Sequence, residues 1–124
     1  MAHIVFIEDE PMLQKTLSDF LRQHGHTTAA AFDGESGLAL IRREKPALVV
    51  LDLILPRLHG LEVLERMQHD DTLRDIPAIV LTNLDSSESV ERAIELGVKA
   101  YLVKTDYTLD GILQKIEAVL GEGR

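Results

Sequence analysis

The stretch 47-ALVVLDLILP-56 decides the fold of this chain. It begins with a run that is apolar at every position, residues 47–51, and the run ends at the carboxylate of Asp52. Strands of this kind are typical of parallel sheets that are covered on both faces. Burial disfavours the charged form of a carboxyl group, so Asp52 at the tip of a buried strand requires cations or hydrogen-bond donors from elsewhere in the chain.

Four further apolar runs along the chain predict four further strands, at residues 4–7, 27–31, 78–81 and 99–103. Between the runs, the apolar residues recur with a helical period. This alternation gives five strand-helix units and predicts an α/β fold with a doubly wound, five-stranded parallel sheet. No linker or internal repeat interrupts the 124 residues, so we expect a single domain over residues 1–124.

Local signals set the expected helix boundaries. Pro11 suits a first helical turn, and the first helix is predicted to run from there to near Gly25. The second helix is predicted over residues 34–41. Asp85 is predicted to cap the fourth helix, with Glu88 completing a capping box. The fourth helix should then bury a stripe formed by Val90, Ala93, Ile94 and Gly97.

Composition excludes several classes of function. The chain contains no cysteine, so it has neither a disulfide framework nor a thiolate metal site. Its formal net charge of −8 disfavours direct binding to nucleic acid. The sequence shows neither the pattern of a secretory signal nor an apolar run of membrane-spanning length, so we expect no membrane insertion and a cytoplasmic location.

Polar side chains follow four of the five predicted strands, namely Glu8, Asp9, Asp52, Thr82 and Lys104. Ligands of open parallel sheets bind beyond the carboxyl ends of the strands, so these side chains should meet in one crevice. Three carboxylates held close together repel one another, and a hard divalent cation relieves the repulsion. The sequence therefore predicts an Mg²⁺ site. Glu10 is assigned to the start of the first helix, where acidic residues are favoured.

The same set of residues suits chemistry at phosphorus, where catalysis consists mainly of positioning and charge neutralisation. Asp52 is the candidate nucleophile and would form an acyl phosphate. Mg²⁺ held by Asp9 and Asp52, with Glu8 acting largely through water, would neutralise one phosphoryl oxygen. The Lys104 ammonium would neutralise another.

Four motifs in this order resemble the response-regulator receiver domain of two-component signalling, namely 7-IEDE-10, 52-DLILP-56 with Gly60, 81-LT-82 and 97-GVKAYLVK-104. The resemblance covers nearly the whole chain. It implies a flavodoxin-like (βα)5 fold with strand order 2-1-3-4-5. It also implies that the chain is a phosphoryl-accepting switch in a phosphorelay and not a turnover enzyme.

The resemblance assigns a role to each residue of the predicted crevice. Asp52 is implied to be the phosphoacceptor, and Lys104 to contact the phosphoryl group. The metal is implied to be held by Glu8, Asp9, Asp52 and the main-chain carbonyl of Ile54. These assignments add a main-chain ligand to the carboxylates that the strand ends predict.

The resemblance also implies a switch. The Thr82 hydroxyl is implied to move toward the phosphoryl group, and the ring of Tyr101 to turn inward into the space vacated. This change repacks the surface formed by helix 4, strand 5 and helix 5. It is a two-state element that a local charge event biases.

Several residues depart from the family pattern. Thr105 stands where proline commonly follows the lysine, and a cis bond before a non-proline residue costs about 2.5 to 4 kcal/mol, so we expect a trans bond after Lys104. Asn83 replaces a small residue and could narrow access to the phosphoryl group or add a hydrogen bond. Ile54 and Leu84 flank the implied path of attacking water and cannot orient it. We therefore expect a long-lived phosphorylated state.

The resemblance implies two kinds of protein partner. One is the sensor histidine kinase or phosphotransfer protein that donates the phosphoryl group, and the other is a downstream target protein, because we expect no output domain unless the chain is cut from a longer regulator. Many receivers dimerise through an acidic pair just before the tyrosine. Lys99 and Ala100 occupy those positions here, so we expect a monomer or a weak dimer.

Three alternatives remain beside the receiver interpretation. The first is a receiver-fold protein-binding module that is not phosphorylated. The second is an aspartate-nucleophile phosphohydrolase, although Ile54 occupies the position of its usual acid-base aspartate. The third is a flavin-binding protein, but the acidic residues 8–10 would repel the phosphate that such a protein holds after its first strand.

Overall fold

The computed structural model describes residues 1–122, in which five strands and five helices alternate. Their bounds are β1 His3–Ile7, α1 Pro11–Gln23, β2 Thr27–Ala31, α2 Gly34–Glu44, β3 Leu48–Leu51, α3 Gly60–Gln68, β4 Ala78–Thr82, α4 Ser87–Glu95, β5 Ala100–Val103 and α5 Leu109–Glu122. A short 3₁₀ helix, Lys104–Asp106, follows β5. None of the described helices is both long and apolar enough to cross a bilayer.

The five strands form one parallel sheet in the order β2-β1-β3-β4-β5, which confirms the predicted architecture. The strand register brings the carboxyl ends of β1 and β3 to the same level, and likewise those of β4 and β5. Ile7 lies opposite Leu51, and Thr82 lies opposite Val103. The residues that follow these strands therefore emerge side by side at one edge of the sheet.

Helices cover both faces of the sheet, and alternate residues of each inner strand face opposite layers. In β1, Val5 and Ile7 pack in the layer beneath α2, α3 and α4. Ile4 and Phe6 pack in the layer beneath α1 and α5. All four side chains are buried, which explains why the inner strands are apolar at every position instead of alternate positions.

The predicted ends of two helices need correction. α2 continues to Glu44 instead of ending at Ile41, and Lys45 then ends it in the left-handed conformation with φ of 43°. The predicted cap of α4 was one residue early. Ser86, and not Asp85, is the N-cap, and its hydroxyl oxygen accepts a hydrogen bond of 3.2 Å from the amide of Ser89. Serine at this position satisfies an amide that the helix itself leaves unpaired.

The predicted buried stripe of α4 was also partly wrong. Ile94 is 61% exposed, and Gly97 lies beyond the helix with φ of +86°. Ala93 is buried as predicted, and the other buried positions at this end of the fold are Ser89 and Leu96. These three residues follow a helical spacing of four and three, so α4 is rotated relative to the orientation that hydrophobicity alone predicted.

Candidate functional site

The site lies in the crevice where β1 and β3 end next to each other. The Asp52 amide donates a hydrogen bond of 3.0 Å to the carbonyl of Ile7, which continues the pairing of the two strands by one residue. The loop after Asp52 returns closely past it at Gly60. A Cβ atom at Gly60 would lie 2.4 Å from the carbonyl oxygen of Asp52, so only glycine permits this approach.

The Asp52 carboxylate is 5% exposed, and hydrogen-bond donors meet both of its oxygens. Oδ1 accepts from the Thr82 hydroxyl at 2.5 Å and from the Ile54 amide at 3.1 Å. Oδ2 accepts from Nζ of Lys104 at 2.8 Å. The hydrogen-bond donors and the cation that a buried carboxylate requires are therefore supplied to Asp52 by residues at three other positions in the chain.

Glu8 is completely buried beside Asp52. Its Oε2 accepts a hydrogen bond of 3.0 Å from the amide of Glu10. Its Oε1 lies 2.6 Å from Nζ of Lys104, but this ion pair lacks the geometry of a hydrogen bond, and no other donor within residues 1–122 reaches the oxygen. Burial raises the pKa of Glu8 above its usual range, although Lys104 and the Glu10 amide oppose the change.

Lys104 is the cation at the centre of this carboxylate group. Burial alone would lower its pKa, but the hydrogen bond to Asp52 and the close negative charges of Asp52 and Glu8 outweigh burial and raise the pKa above its usual value. The ammonium therefore stays charged. The described residues include no cis peptide bond, so the bond between Lys104 and Thr105 is trans, as expected. The trans loop still places Nζ against Asp52.

The three predicted metal ligands lie close together. One carboxylate oxygen from each of Glu8, Asp9 and Asp52 falls within 4.8 Å of the others, and Asp9 is exposed at the mouth of the crevice. All three donors are hard oxygens, which Mg²⁺ prefers. Oε1 of Glu8 accepts no hydrogen bond from the described residues, so a cation that replaces its ion pair with Lys104 would complete its coordination. These residues fit a divalent cation.

A family model described as the response regulator receiver domain matches residues 4–117. The chain belongs to the response-regulator receiver family. This receiver is 32% identical over 120 residues to Protein PilH of Pseudomonas aeruginosa, and the match covers 97% of this chain and 98% of PilH.

Other relatives of this receiver are longer or have known structures. Transcriptional regulatory protein AfsQ1 of Streptomyces coelicolor is 37% identical over 125 residues, which cover 99% of this chain and 53% of AfsQ1. The receiver thus spans about half the length of that protein. The structure of the BeF₃-activated N-terminal receiver domain of RstA from Klebsiella pneumoniae is 29% identical, with a TM-score of 0.86 and coverage of 95% and 97% of the two chains.

The structure also shows a connection that the sequence did not reveal, between Thr82 and Tyr101 of the receiver. The half-buried Tyr101 donates its hydroxyl hydrogen to the carbonyl of Leu84. The amide of Leu84 in turn donates to the Thr82 hydroxyl at 3.2 Å. Burial, assisted by the charges of Asp85 and Asp52, raises the pKa of Tyr101, which keeps its hydroxyl protonated as a donor.

Glu10 is the second feature that sequence reasoning missed. It is the N-cap residue of α1, but its side chain makes no capping hydrogen bond. Its carboxylate instead lies 3.3 Å from Nζ of Lys104. The contact joins residues 94 positions apart in the chain, so no local pattern could have indicated it.

Proposed function

We propose that this receiver accepts a phosphoryl group on Asp52 from a phosphohistidine of a sensor histidine kinase or phosphotransfer protein. The observation that carries the proposal is the set of contacts to the Asp52 carboxylate. Thr82 and Lys104 donate to its two oxygens, and Glu8 and Asp9 lie beside it within reach of one cation. A carboxylate that served only to cap a turn needs neither the ammonium nor two further acids.

In the proposed transfer, an oxygen of Asp52 attacks phosphorus as the bond between phosphorus and the donor imidazole breaks. The electron pair of that bond returns to the imidazole nitrogen. Lys104 and Thr82 would stay near Asp52 and donate to oxygens of the incoming group instead of to the carboxylate. Their contribution is positioning and charge stabilisation, which are the main sources of catalysis in phosphoryl transfer.

The charges of the crevice favour a metal-dependent reaction. Glu8, Asp9 and Asp52 together with the Lys104 ammonium carry a formal charge of about −2, which repels a phosphoryl anion. Mg²⁺ held by the three carboxylates and the Ile54 carbonyl would bring this sum to zero and withdraw charge from a phosphoryl oxygen. The RstA receiver is described as BeF₃-activated, and this anion imitates a phosphoryl group, which supports the same chemistry here.

The proposed switch uses the connection from Thr82 to Tyr101. The Thr82 hydroxyl already lies against Asp52, so a short movement would transfer its hydrogen bond from Oδ1 to a phosphoryl oxygen, and the Tyr101 ring would turn inward into the space vacated. The main chain of Leu84 links this hydroxyl to Tyr101 on β5. The change would then reach the surface formed by α4, β5 and α5. This is a local charge event that biases a two-state surface.

The proposal also covers how the signal leaves the protein. With residues 1–124 acting as a single receiver domain, the switched surface would bind a downstream target protein. The protein would act as a monomer or weak dimer and would accept one phosphoryl group for each signal. We place it in the cytoplasm, because a phosphohistidine donor is formed from ATP.

Incubation with acetyl phosphate and Mg²⁺, followed by intact-mass measurement, tests the proposal. We expect one added phosphoryl group on the natural sequence and none on Asp52→Asn. An adduct that persists in Asp52→Asn would place the acceptor elsewhere. A complete lack of adduct with both acetyl phosphate and a phosphorylated histidine donor would favour the protein-binding module that is not phosphorylated.

A further inference from the structure

The contact between Glu10 and Lys104 has no role in the proposed transfer. Nζ of Lys104 lies 2.6 Å from Glu8, 2.8 Å from Asp52 and 3.3 Å from Glu10. Glu8 and Asp52 belong to the group of three carboxylates that fits a cation, whereas Glu10 does not. Two partners of the ammonium, Glu8 and Asp52, would thus also bind a cation, whereas its third partner, Glu10, would not.

The position of Glu10 is set by its main chain. Its amide donates to Oε2 of Glu8 at 3.0 Å, and its carbonyl accepts from the amide of Gln14 at 3.0 Å. Pro11 disfavours the helical conformation for the residue before it, and Glu10 accordingly has φ of −88° and ψ of 109°. The side chain is not needed for capping, so its carboxylate is available to Lys104.

The ammonium and a divalent cation would share the carboxylates of Glu8 and Asp52. A cation bound to Glu8 and Asp52 repels a positive charge within 3 Å of them, so Lys104 must give up at least its contact with Glu8. An ammonium released into solvent would no longer contact or stabilise the phosphoryl group. Glu10 is the one described carboxylate within ion-pair distance of Nζ that lies outside the cation group.

We propose that Glu10 is a positioning residue that retains the Lys104 ammonium beside Asp52 when a divalent cation occupies the crevice. This inference rests on the proposed Mg²⁺-dependent function. Glu10 would assist cation binding through Lys104, because it gives the ammonium a partner that lies outside the cation group. A carboxylate that only adds negative charge near the site would assist cation binding equally well without Lys104.

A double-mutant cycle separates these two effects. The Mg²⁺ dissociation constant is measured by titration calorimetry for the natural sequence, Glu10→Gln, Lys104→Gln and the double variant. We expect Glu10→Gln to weaken Mg²⁺ binding about two- to fivefold in the natural sequence, the range that an exposed ion pair supports. In the Lys104→Gln background the same change should have little effect. Glu35→Gln, which removes an exposed acid from the first turn of α2, is the matched control and should leave affinity unchanged.

The outcomes are distinguishable. Equal weakening by Glu10→Gln in both backgrounds, or no weakening in either, would overturn the role of Glu10. If the natural sequence does not bind Mg²⁺ at all, the proposed function itself fails. A second measurement does not require a Lys104 variant: the side-chain ¹⁵N resonance of Lys104 in the Mg²⁺-saturated protein should shift in Glu10→Gln but not in Glu35→Gln. An unchanged resonance would equally count against the proposal.

Discussion

The hydroxyl of Thr82 donates a hydrogen bond of 2.5 Å to Oδ1 of Asp52, and both side chains are almost completely buried. Hydrogen bonds to charged groups stabilise proteins more than neutral ones, typically by about 1.5 to 3 kcal/mol. Thr82→Val keeps the shape of the side chain, removes this donor and also removes the acceptor of the Leu84 amide. We expect the free energy of unfolding, measured by urea denaturation without Mg²⁺, to fall by about this amount.

Thr28 provides the control for that experiment. Its buried hydroxyl oxygen has no hydrogen-bond partner among the described residues, so Thr28→Val removes a polar group without breaking a contact. We expect Thr28→Val to be neutral or slightly stabilising. Equal destabilisation by the two substitutions would show that the hydrogen bond to Asp52 contributes nothing measurable.

Glu8 should make the stability of the metal-free protein depend on pH. Burial raises the pKa of Glu8 in the folded state above its ordinary value of 4.5. The folded state therefore binds the proton more tightly than the unfolded state. The resulting stabilisation is complete below pH 4.5 and is lost as the pH rises through the raised pKa.

Glu8→Gln has no side-chain proton to release in this pH range, so it should remove this part of the pH dependence. Without Mg²⁺, we expect the Tm of Glu8→Gln to exceed that of the natural sequence by a few degrees at pH 7, and the difference to shrink as the pH approaches 4.5. Differential scanning calorimetry between pH 4.5 and pH 7 measures this difference in Tm. A variant that is less stable at pH 7 would mean that the ion pair with Lys104 outweighs burial.

Mg²⁺ should raise the melting temperature, because a cation bound by three folded-state carboxylates stabilises only the folded state. At a concentration one hundred times the dissociation constant, the stabilisation is about 2.7 kcal/mol. Asp9→Ala removes an exposed ligand and should abolish the increase. Asp19→Ala, which removes an exposed α1 acid paired with Lys15, is the control and should retain it. A similar increase in Asp9→Ala would place the cation elsewhere.

The lifetime of the phosphorylated state should depend on the side chain at position 84. Leu84 packs partly against the core and cannot orient an attacking water molecule. Leu84→Glu introduces a carboxylate that can accept a proton from that water, so we expect the half-life to fall several-fold, measured by loss of the phosphorylated mass. Leu84→Met should behave like the natural sequence. A half-life that Leu84→Glu leaves unchanged or lengthens would contradict the expectation.

Much of the fold and most of the positions in the crevice followed from the sequence, because parallel strands that end in polar residues place those residues at one edge. The strand order came from the family resemblance. The errors in α4 have a physical cause: Ile94 is apolar but faces away from the sheet, whereas the polar Ser89 is buried near the cap. Hydrophobicity alone could not determine the rotation of so short a helix.

The features that were missed in the crevice depend on contacts between distant parts of the chain. An acidic residue such as Glu10 is common at the start of a helix, and only the folded structure brings Lys104 next to it. The connection from Thr82 to Tyr101 uses the main chain of Leu84, which has no signature in the sequence. Sequence patterns indicate which side chains reach an edge, but not which atoms they then contact.

The part played by Leu84 in this connection bears on how such a protein can evolve. Its amide and carbonyl join Thr82 to Tyr101, and every amino acid except proline supplies both groups. The side chain at the same position takes no part in these two hydrogen bonds, and the family resemblance implies that it flanks the path of attacking water. If the proposed function holds, the main chain of Leu84 transmits the switch and its side chain sets the lifetime of the phosphorylated state, so a substitution at this position would change the duration of the signal and leave its transmission intact.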